Sequence, residues 1–330
     1  MARARAILKR RKAVRNIRKI TRTMQMIATA KFQKALKRAV GAKPYTTKIF
    51  EVMHDVAEAV SDHSHPLLRR VTAATASGRA ALLVITSNRG LCGAYNGNVL
   101  REAAAFLARQ ETAGLTVELH LSGRKGVTYF NYRRRRIEKR YDQFGDEPAW
   151  ADVEQLAEEF IRRFVKGELD SVHVAHMNFI STSTQRPEVF QLLPLTGVRE
   201  AADRIMQQFM EKEAQAMAGI WDRTHQPQGA EGRRVGLHAE IKYDFSPDAA
   251  TILQELLPLA VKMSLYQCFL DAASSEHVAR MVAMKSATDN ADKMLRTLTM
   301  QYNRSRQTQI TTELSEIMGG VEAMKRQAVR

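Results

Sequence analysis

The stretch that decides the fold runs from Leu259 to Met318 and contains 60 consecutive residues without glycine or proline. It closes on the letters RQTQITTELSEI, which are residues 306–317. In a helix interior glycine costs about 1 kcal/mol and proline about 3 kcal/mol relative to alanine, so their absence permits one unbroken helix. At about 1.5 Å per residue that helix would be roughly 90 Å long. We therefore expect a mechanical element or an extended interaction surface, with a terminal helix over residues 250–330.

The amino terminus supplies a candidate partner for this helix. Residues 1–40 also lack glycine and proline, and we expect a helix over residues 1–60. Apolar residues recur at every third or fourth position in both terminal stretches, which places them on one stripe of each helix. Two such stripes pack as an antiparallel coiled coil when a globular middle segment joins them. The predicted stripes are Val14, Ile17, Ile20, Met24, Ile27, Ala28, Phe32, Ala35 and Ala39 in the first helix, and Met284, Thr288, Ala291, Leu295, Leu298 and Tyr302 in the second.

The net charge of +16 is concentrated in the amino-terminal helix. Residues 1–50 contain sixteen Lys and Arg and no Asp or Glu, which leaves 35 basic residues against 35 acidic ones in the remainder. A helix of this composition binds acidic surfaces. Composition leaves two interpretations open. One is a nucleic-acid-binding coiled-coil protein, although the base-reading and stacking residues typical of that class are missing from the helix. The other is a helix held against an acidic protein partner.

The middle of the chain has the pattern of a separate domain. Short apolar runs with β-branched residues alternate with segments of helical spacing, which predicts a central Rossmann-like α/β domain over residues 70–215. A polar, glycine-containing segment at 216–245 predicts a surface loop or insertion before the long helix. The predicted strands are 80–86, 116–121, 171–180 and 188–195, and the predicted helices between them are 98–109 and 150–165.

Catalytic and metal-binding patterns are weak in this sequence. The glycines from Gly90 to Gly97 do not have the G-x-G-x-x-G spacing of a dinucleotide fingerprint, and no Ser, His and Asp arrangement stands out. The two cysteines, Cys92 and Cys268, are far apart and indicate neither a disulfide framework nor a metal site. We therefore expect no catalytic residues, no cofactor and no bound metal.

Three segments resemble the gamma subunits of F-type ATP synthases. Residues 17–31, IRKITRTMQMIATAK, are similar to the family's K-I-T-x-A-M-x-M-V-A-x-x-K opening. Residues 87–93, SNRGLCG, resemble its D-x-G-L-C-G turn, with Asn88 in place of the usual aspartate. The run from Glu276 to Ile317 is the most specific match and ends on the quoted RQTQITTELSEI. The matches cover both ends and the first strand of the middle domain in the family's order.

The resemblance implies a rotor without an active site of its own. The two terminal helices would form a shaft inside a ring of alternating alpha and beta subunits. The α/β domain would lie on the membrane-embedded c-ring, with the epsilon subunit beside it. Proton-driven rotation of the c-ring would turn the shaft and drive each catalytic beta subunit in turn through states that bind, form and release nucleotide. No nucleic acid is expected among the partners on this interpretation.

The resemblance also assigns contact residues. Met24 would face the acidic lever segment of a beta subunit, and the exposed stripe near the carboxy terminus would form the axle tip in an apolar collar of the ring. That stripe lies beyond the reach of the shorter first helix and needs another apolar partner. The predicted upper contacts are Arg306, Gln307, Thr311 and Glu313, and the predicted tip is Ile310, Leu314, Ile317, Val321 and Met324.

Two further features bear on location. The resemblance begins at Ile17, close to Met1, which leaves little room for a presequence. No cysteine lies between Cys92 and Cys268 to act as the redox switch of chloroplast members. Both features favour a peripheral protein on the cytoplasmic face of a bacterial inner membrane.

Overall fold

The computed structural model describes residues 2–59, 66–68, 78–195 and 249–328. The predicted loop at 216–245 lies outside the described residues. The helices are α1 (Ala2–Ala59), α2 (Tyr95–Thr112), α3 (Arg124–Tyr132), α4 (Trp150–Val165) and α5 (Ala249–Ala328), with a short 3₁₀ helix at Pro66–Leu68. The strands are β1 (Arg79–Ile85), β2 (Thr116–Ser122), β3 (Lys139–Tyr141), β4 (Ser171–Phe179) and β5 (Gln185–Leu193).

The chain divides into two compact units. One consists of Met1–Ala30 and Arg280–Arg330, and the other of Lys31–Ala279. Helices α1 and α5 each contribute to both units. The first unit therefore contains only helical segments of α1 and α5 among its described residues, and the second contains the sheet.

The sheet of the second unit has the order β3-β2-β1-β4-β5. The neighbours from β3 to β4 pair in parallel, and β5 adds an antiparallel edge to β4. The first strand, β1, lies at the centre, so the connections lead first to one side of it and then to the other. This doubly wound arrangement confirms the predicted Rossmann-like α/β domain.

Two apolar layers cover the faces of this sheet. Alternate residues of β1 point to opposite faces, so Leu82 and Val84 pack with α2 and α3 while Leu83 and Ile85 pack with α4 and α5. All of β1 except Arg79 is buried, as expected for a central parallel strand. The second layer includes Leu257 to Ala272 of α5, so the root of the long helix belongs to the core of the domain.

Besides the short 3₁₀ helix, the structure adds two elements that the sequence did not predict, α3 and the three-residue strand β3. The glycines at 123 and 126 suggest a turn, but Gly123 has φ of 94° and precedes α3 directly. A Cβ on Gly123 would lie 2.0 Å from the carbonyl oxygen of Thr86. The Thr86 hydroxyl in turn accepts a hydrogen bond from the Gly126 amide at 2.9 Å. Glycine is therefore required here by close backbone approach rather than by the end of a helix.

His173 of β4 is a half-buried titratable group beside α2. Its ring lies 4.7 Å from the ring of Phe106 between centroids, and its Nε2 is 3.1 Å from the Ser171 hydroxyl. Burial lowers the pKa of His173 to about 4, because the charged form loses its hydration. In an unfolded chain the same imidazole has a pKa of about 6.5. As the pH falls from about 6.5 to about 4, the unfolded state binds a proton that the folded state does not, so stability is lost in that window.

We expect the variant His173→Gln to weaken this dependence on pH. Glutamine keeps a polar group beside Ser171 but does not titrate. Between pH 7 and pH 4.5 the free energy of unfolding of the wild-type chain should fall by about 2 to 3 kcal/mol more than that of the variant. Urea denaturation of both proteins at the two pH values measures the difference. An equal fall in both proteins would show that His173 is not the titrating group.

Candidate functional site

In the first unit α1 and α5 pack against each other in antiparallel directions. Val14 of α1 forms a buried cluster with Ala291 and Leu298 of α5, and Ile7 and Leu295 pack at its border. Polar contacts between the two helices show their relative direction. The α1 residues Arg11, Arg18 and Thr21 contact, in that order, Tyr302, Asp292 and Thr288 of α5. Residue numbers therefore rise along α1 while those of the contacted residues fall along α5. The predicted antiparallel pairing of the terminal helices is confirmed.

Polar groups occupy several positions of the same seam. The Thr288 hydroxyl donates a hydrogen bond to the hydroxyl of Thr21 at 2.8 Å, and both residues are buried. Arg18 is paired with Asp292 at 2.6 Å. The guanidinium of Arg11 lies 5.1 Å from the centre of the Tyr302 ring, within the range of a cation–π contact. The seam therefore fixes the register of the helices through specific polar pairs as well as apolar packing.

The predicted apolar stripe of α1 is partly wrong. Val14, Ala28 and Phe32 are buried, but Ile17, Ile20 and Ile27 are 51–59% exposed. On α1 within the first unit the buried positions recur every seven residues, at Val14, Thr21 and Ala28, and the half-buried Ile7 continues the same spacing. The prediction failed because it followed the apolar side chains, whereas the seam accepts threonine and arginine that find partners on α5. The stripe predicted for α5, from Met284 to Tyr302, is confirmed: all of its members are buried or half-buried.

The isoleucines that the seam leaves out form a second, outward-facing stripe. At about 100° per residue, Ile17, Ile20, Met24 and Ile27 fall within about 80° of one another on the helix surface. Met24 is half-buried and the three isoleucines are exposed. Arg15, Lys19 and Arg22 are exposed nearby in the sequence. At about 100° per residue those cations lie about 120–180° from the middle of the stripe, so this face of α1 offers apolar contact area while the charge lies on the other side of the helix.

The predicted upper contacts lie on one stretch of α5. Arg306, Gln307, Thr311 and Glu313 are all exposed. Within the helix, the Thr311 hydroxyl donates to the carbonyl oxygen of Gln307 at 3.0 Å, and Gln309 Nε2 donates to Glu313 Oε1 at 2.9 Å. The helix thus brings these four side chains together on its surface within two turns, while Met24 lies on the other terminal helix.

The predicted tip stripe is exposed along its whole length. Every side chain from Ile310 to Val321 is exposed, and the five members of the stripe are 48–71% exposed. The stripe is also rotated relative to the seam. Tyr302 and Ile310 are eight residues apart, one more than a heptad, which turns the apolar face by about 100°. The tip is therefore not a continuation of the surface that packs against α1. Its members are Ile310, Leu314, Ile317, Val321 and Met324.

Comparison with known proteins identifies the family. A model of the ATP synthase family matches residues 3–324. An ATP synthase gamma chain from Rhodopirellula baltica is 41% identical over 325 residues, which cover 98% of this chain and all of that protein. The chain belongs to the ATP synthase gamma chain family. A second gamma chain, from Saccharopolyspora erythraea, is 36% identical over 338 residues and covers 98% of each protein.

Solved structures agree with the fold. A chain in the Euglena gracilis mitochondrial ATP synthase structure of OSCP, F1 and the c-ring has a TM-score of 0.58 at 17% identity, covering 98% of this chain and 95% of that one. At this identity the likeness concerns the fold alone. It confirms long terminal helices combined with an α/β domain. The nucleic-acid alternative gains no support from these relatives, which are gamma chains.

The described part of the chain has neither a candidate membrane span nor a candidate metal cluster. Within it, no helix combines the length and the apolar character needed to cross a membrane. The same residues contain no cluster of three or more His, Cys, Asp or Glu side chains suited to a metal ion.

The corrected register of the seam can be tested with two truncations. Leu298→Ala should lower the free energy of opening of α1 by about 2 to 4 kcal/mol, because it leaves a cavity in the buried cluster. Ile20→Ala should change it by less than about 0.5 kcal/mol, since Ile20 is exposed. Hydrogen exchange of the amides in residues 5–25 of the full chain measures both values. A large effect of Ile20→Ala would contradict this register and support the one in which Ile17, Ile20 and Ile27 face α5.

Proposed function

We propose that this gamma chain is the rotating central stalk of an F-type, proton-translocating ATP synthase. The paired part of α1 and α5 is the shaft, and the chain is a non-catalytic subunit whose complex carries out the chemistry in its beta subunits. The observation that carries the proposal is the change in environment along α5. One helix passes from the domain core, through a seam with α1, to an exposed apolar stripe that faces a new direction.

The exposed stripe supports a bearing at the end of the shaft. Five apolar side chains exposed in a row along about 15 residues are costly in water unless a partner covers them. The rotation of this face away from the seam means that lengthening α1 would not cover it. An apolar collar that surrounds the helix, as the family resemblance implies, would cover these side chains in whichever direction the stripe faces. Ile310, Leu314, Ile317, Val321 and Met324 are the residues that we assign to this contact.

The outward face of α1 fits contact with the catalytic ring. Ile17, Ile20 and Ile27 offer an apolar surface, and the exposed cations elsewhere around α1 are suited to an acidic partner such as the acidic lever segment of a beta subunit. Charge complementarity guides such contacts without a large adhesive apolar patch. Met24 lies on this face and is our assigned contact, and Arg306, Gln307, Thr311 and Glu313 are assigned to the upper contacts with the beta subunits.

The partners and the location follow from the same proposal. The shaft is surrounded by alpha and beta subunits, and the α/β domain is placed on the c-ring with the epsilon subunit beside it. The complex is bound to the membrane through its other subunits, so this chain is peripheral. Relatives from bacteria support the cytoplasmic face of a bacterial inner membrane.

Reconstitution tests the function directly. Purified alpha and beta subunits of the same organism, mixed with this chain, should form a stable complex whose ATP hydrolysis depends on the chain. The control is the same mixture without the chain. Failure to assemble, together with tight and salt-sensitive binding of DNA or RNA by the chain alone, would refute the rotor and favour the nucleic-acid class.

A charge at the lever contact should impair coupling more than assembly. In membrane vesicles that carry the whole complex, we expect Met24→Lys to reduce ATP-driven proton pumping while the complex still assembles, because it adds a cation to the apolar side of the contact. Met26→Lys is the matched control. Met26 is exposed and lies about 200° around the helix from Met24. Quenching of a pH-sensitive dye measures pumping, and equal pumping by wild type and Met24→Lys would contradict the assignment.

A further inference from the structure

The second unit contains an ionic contact that links α1 to the loop before α4. Residues 142–149, which we name the clamp loop, connect β3 to α4 and present Asp146 and Glu147 to α1. Lys31 pairs with Asp146. Glu147 binds two cations at once, with Lys34 Nζ at 2.6 Å from one carboxylate oxygen and Arg38 at 2.6 Å from the other. The three basic residues are spaced by three and four positions and therefore share one face of α1.

The clamp loop is held rigidly on both sides of its two acids. Phe144 is buried and its ring lies 4.3 Å from that of Phe269 on α5. The carbonyl oxygen of Phe144 accepts a hydrogen bond from Asn88 Nδ2 at 2.9 Å, which ties the loop to the end of β1. On the other side Pro148 is buried and has a fixed φ. Asp146 and Glu147 are thus presented from a fixed platform, which lowers the entropic cost of ordering the pairs.

The electrostatics of the two acids agree with this geometry. Partial burial opposes ionisation of Asp146, but the hydrogen bond from Lys31 and the charges of Lys31, His277 and Arg89 hold its pKa below the usual range. Hydrogen bonds from Lys34 and Arg38 also lower the pKa of the exposed Glu147. A lowered carboxyl pKa means that the pairs stabilise the folded state near neutral pH and lose that effect as the pH falls through the lowered values.

The two terminal helices are attached to the domain at different places. Leu257, Val261, Leu265 and Phe269 of α5 belong to the apolar core of the sheet. Lys262 of the same helix pairs with Glu154 at 2.9 Å and with Glu158 at 2.6 Å on α4. Residues 31–38 of α1 are attached through Phe32, whose ring is 5.9 Å from that of Phe179, and through the three ion pairs. Apolar burial resists sliding and rotation only weakly by itself, because it is not directional, whereas paired charges on one helix face specify an angle.

We propose that the clamp loop fixes the rotational setting of α1 on the α/β domain and carries load between the domain and the shaft. This inference rests on the proposed rotor function. Asp146 and Glu147 are positioning residues, since they act through α1. The clamp gives the shaft a second attachment to the domain beside that of α5.

A charge exchange tests the clamp in the complete complex. Glu147→Lys places a cation between Lys34 and Arg38 and should open the contact. The combined change Lys34→Glu, Arg38→Glu and Glu147→Lys recreates the pairs with opposite signs and should restore it. Lys37→Glu is the control, because Lys37 is an exposed lysine of the same helix for which the described part of the chain shows no ion pair. Glu147→Gln, which only removes the charge, replaces Glu147→Lys if the latter fails to assemble.

Two measurements on the same vesicles separate the two parts of the proposal. One tests whether the clamp loop holds α1 on the domain, and the other tests whether that contact carries load during rotation. Hydrogen exchange of the amides of residues 31–38 should become about tenfold faster in Glu147→Lys and return to the wild-type rate in the charge-exchanged protein. The number of protons pumped per ATP hydrolysed should fall in Glu147→Lys, recover in the charge-exchanged protein and stay unchanged in Lys37→Glu.

Each outcome bears on a different statement. Unchanged exchange in Glu147→Lys would overturn the clamp itself. Faster exchange with unchanged pumping per ATP would overturn its role in carrying load, while leaving the rotor function in place. Loss of pumping without recovery on charge exchange would also contradict the clamp, because a repulsion created by Glu147→Lys should vanish when its partners are reversed. Absence of ATP-driven pumping in the wild-type vesicles would instead contradict the proposed function.

Discussion

The absence of acidic residues from the first 50 positions is the constraint on which the arrangement of α1 depends. The part of α1 within the first 50 residues has no Asp or Glu, so it cannot neutralise its charges by pairs among its own side chains. Ion pairs of this part go to other elements, at Asp292, Asp146 and Glu147. The positions of acids elsewhere in the chain decide where α1 is held, and exposed basic residues such as Arg15, Lys19 and Arg22 are available to acidic partners.

Helix α5 is one continuous helix, but its surroundings change along its length. The root of α5 lies in the domain core, its middle packs against α1, and its end exposes an apolar stripe. The shift of one residue between Tyr302 and Ile310 turns the last face away from the seam. A shaft needs such a division, since one part must be fixed to the domain, one must be stiffened by a second helix, and one must remain available to a bearing.

The sequence predicted the fold correctly where the buried positions are occupied by apolar residues. The apolar run of β1 and the heptad spacing from Met284 to Tyr302 both correspond to buried faces in the structure. The prediction from sequence was wrong where polar side chains occupy buried positions. Thr21 is buried beside Thr288, so the outward-facing Ile17 and Ile20 were mistaken for the seam. The helix α3 was missed because Gly123 is needed for its approach to Thr86, and the clamp was missed because its acids lie about 110 residues from their partners.

Rotation of the chain within the ring is the most direct test of the account. Cys92 and Cys268 are buried, so a cysteine introduced at the exposed position Ala105 on α2 can be labelled selectively. In a complex immobilised through its beta subunits, a bead or a fluorophore on that cysteine should turn continuously in one direction while ATP is hydrolysed and stop when ATP is removed. Hydrolysis of ATP at the normal rate with a label that does not turn would contradict the claim that this chain is a rotor.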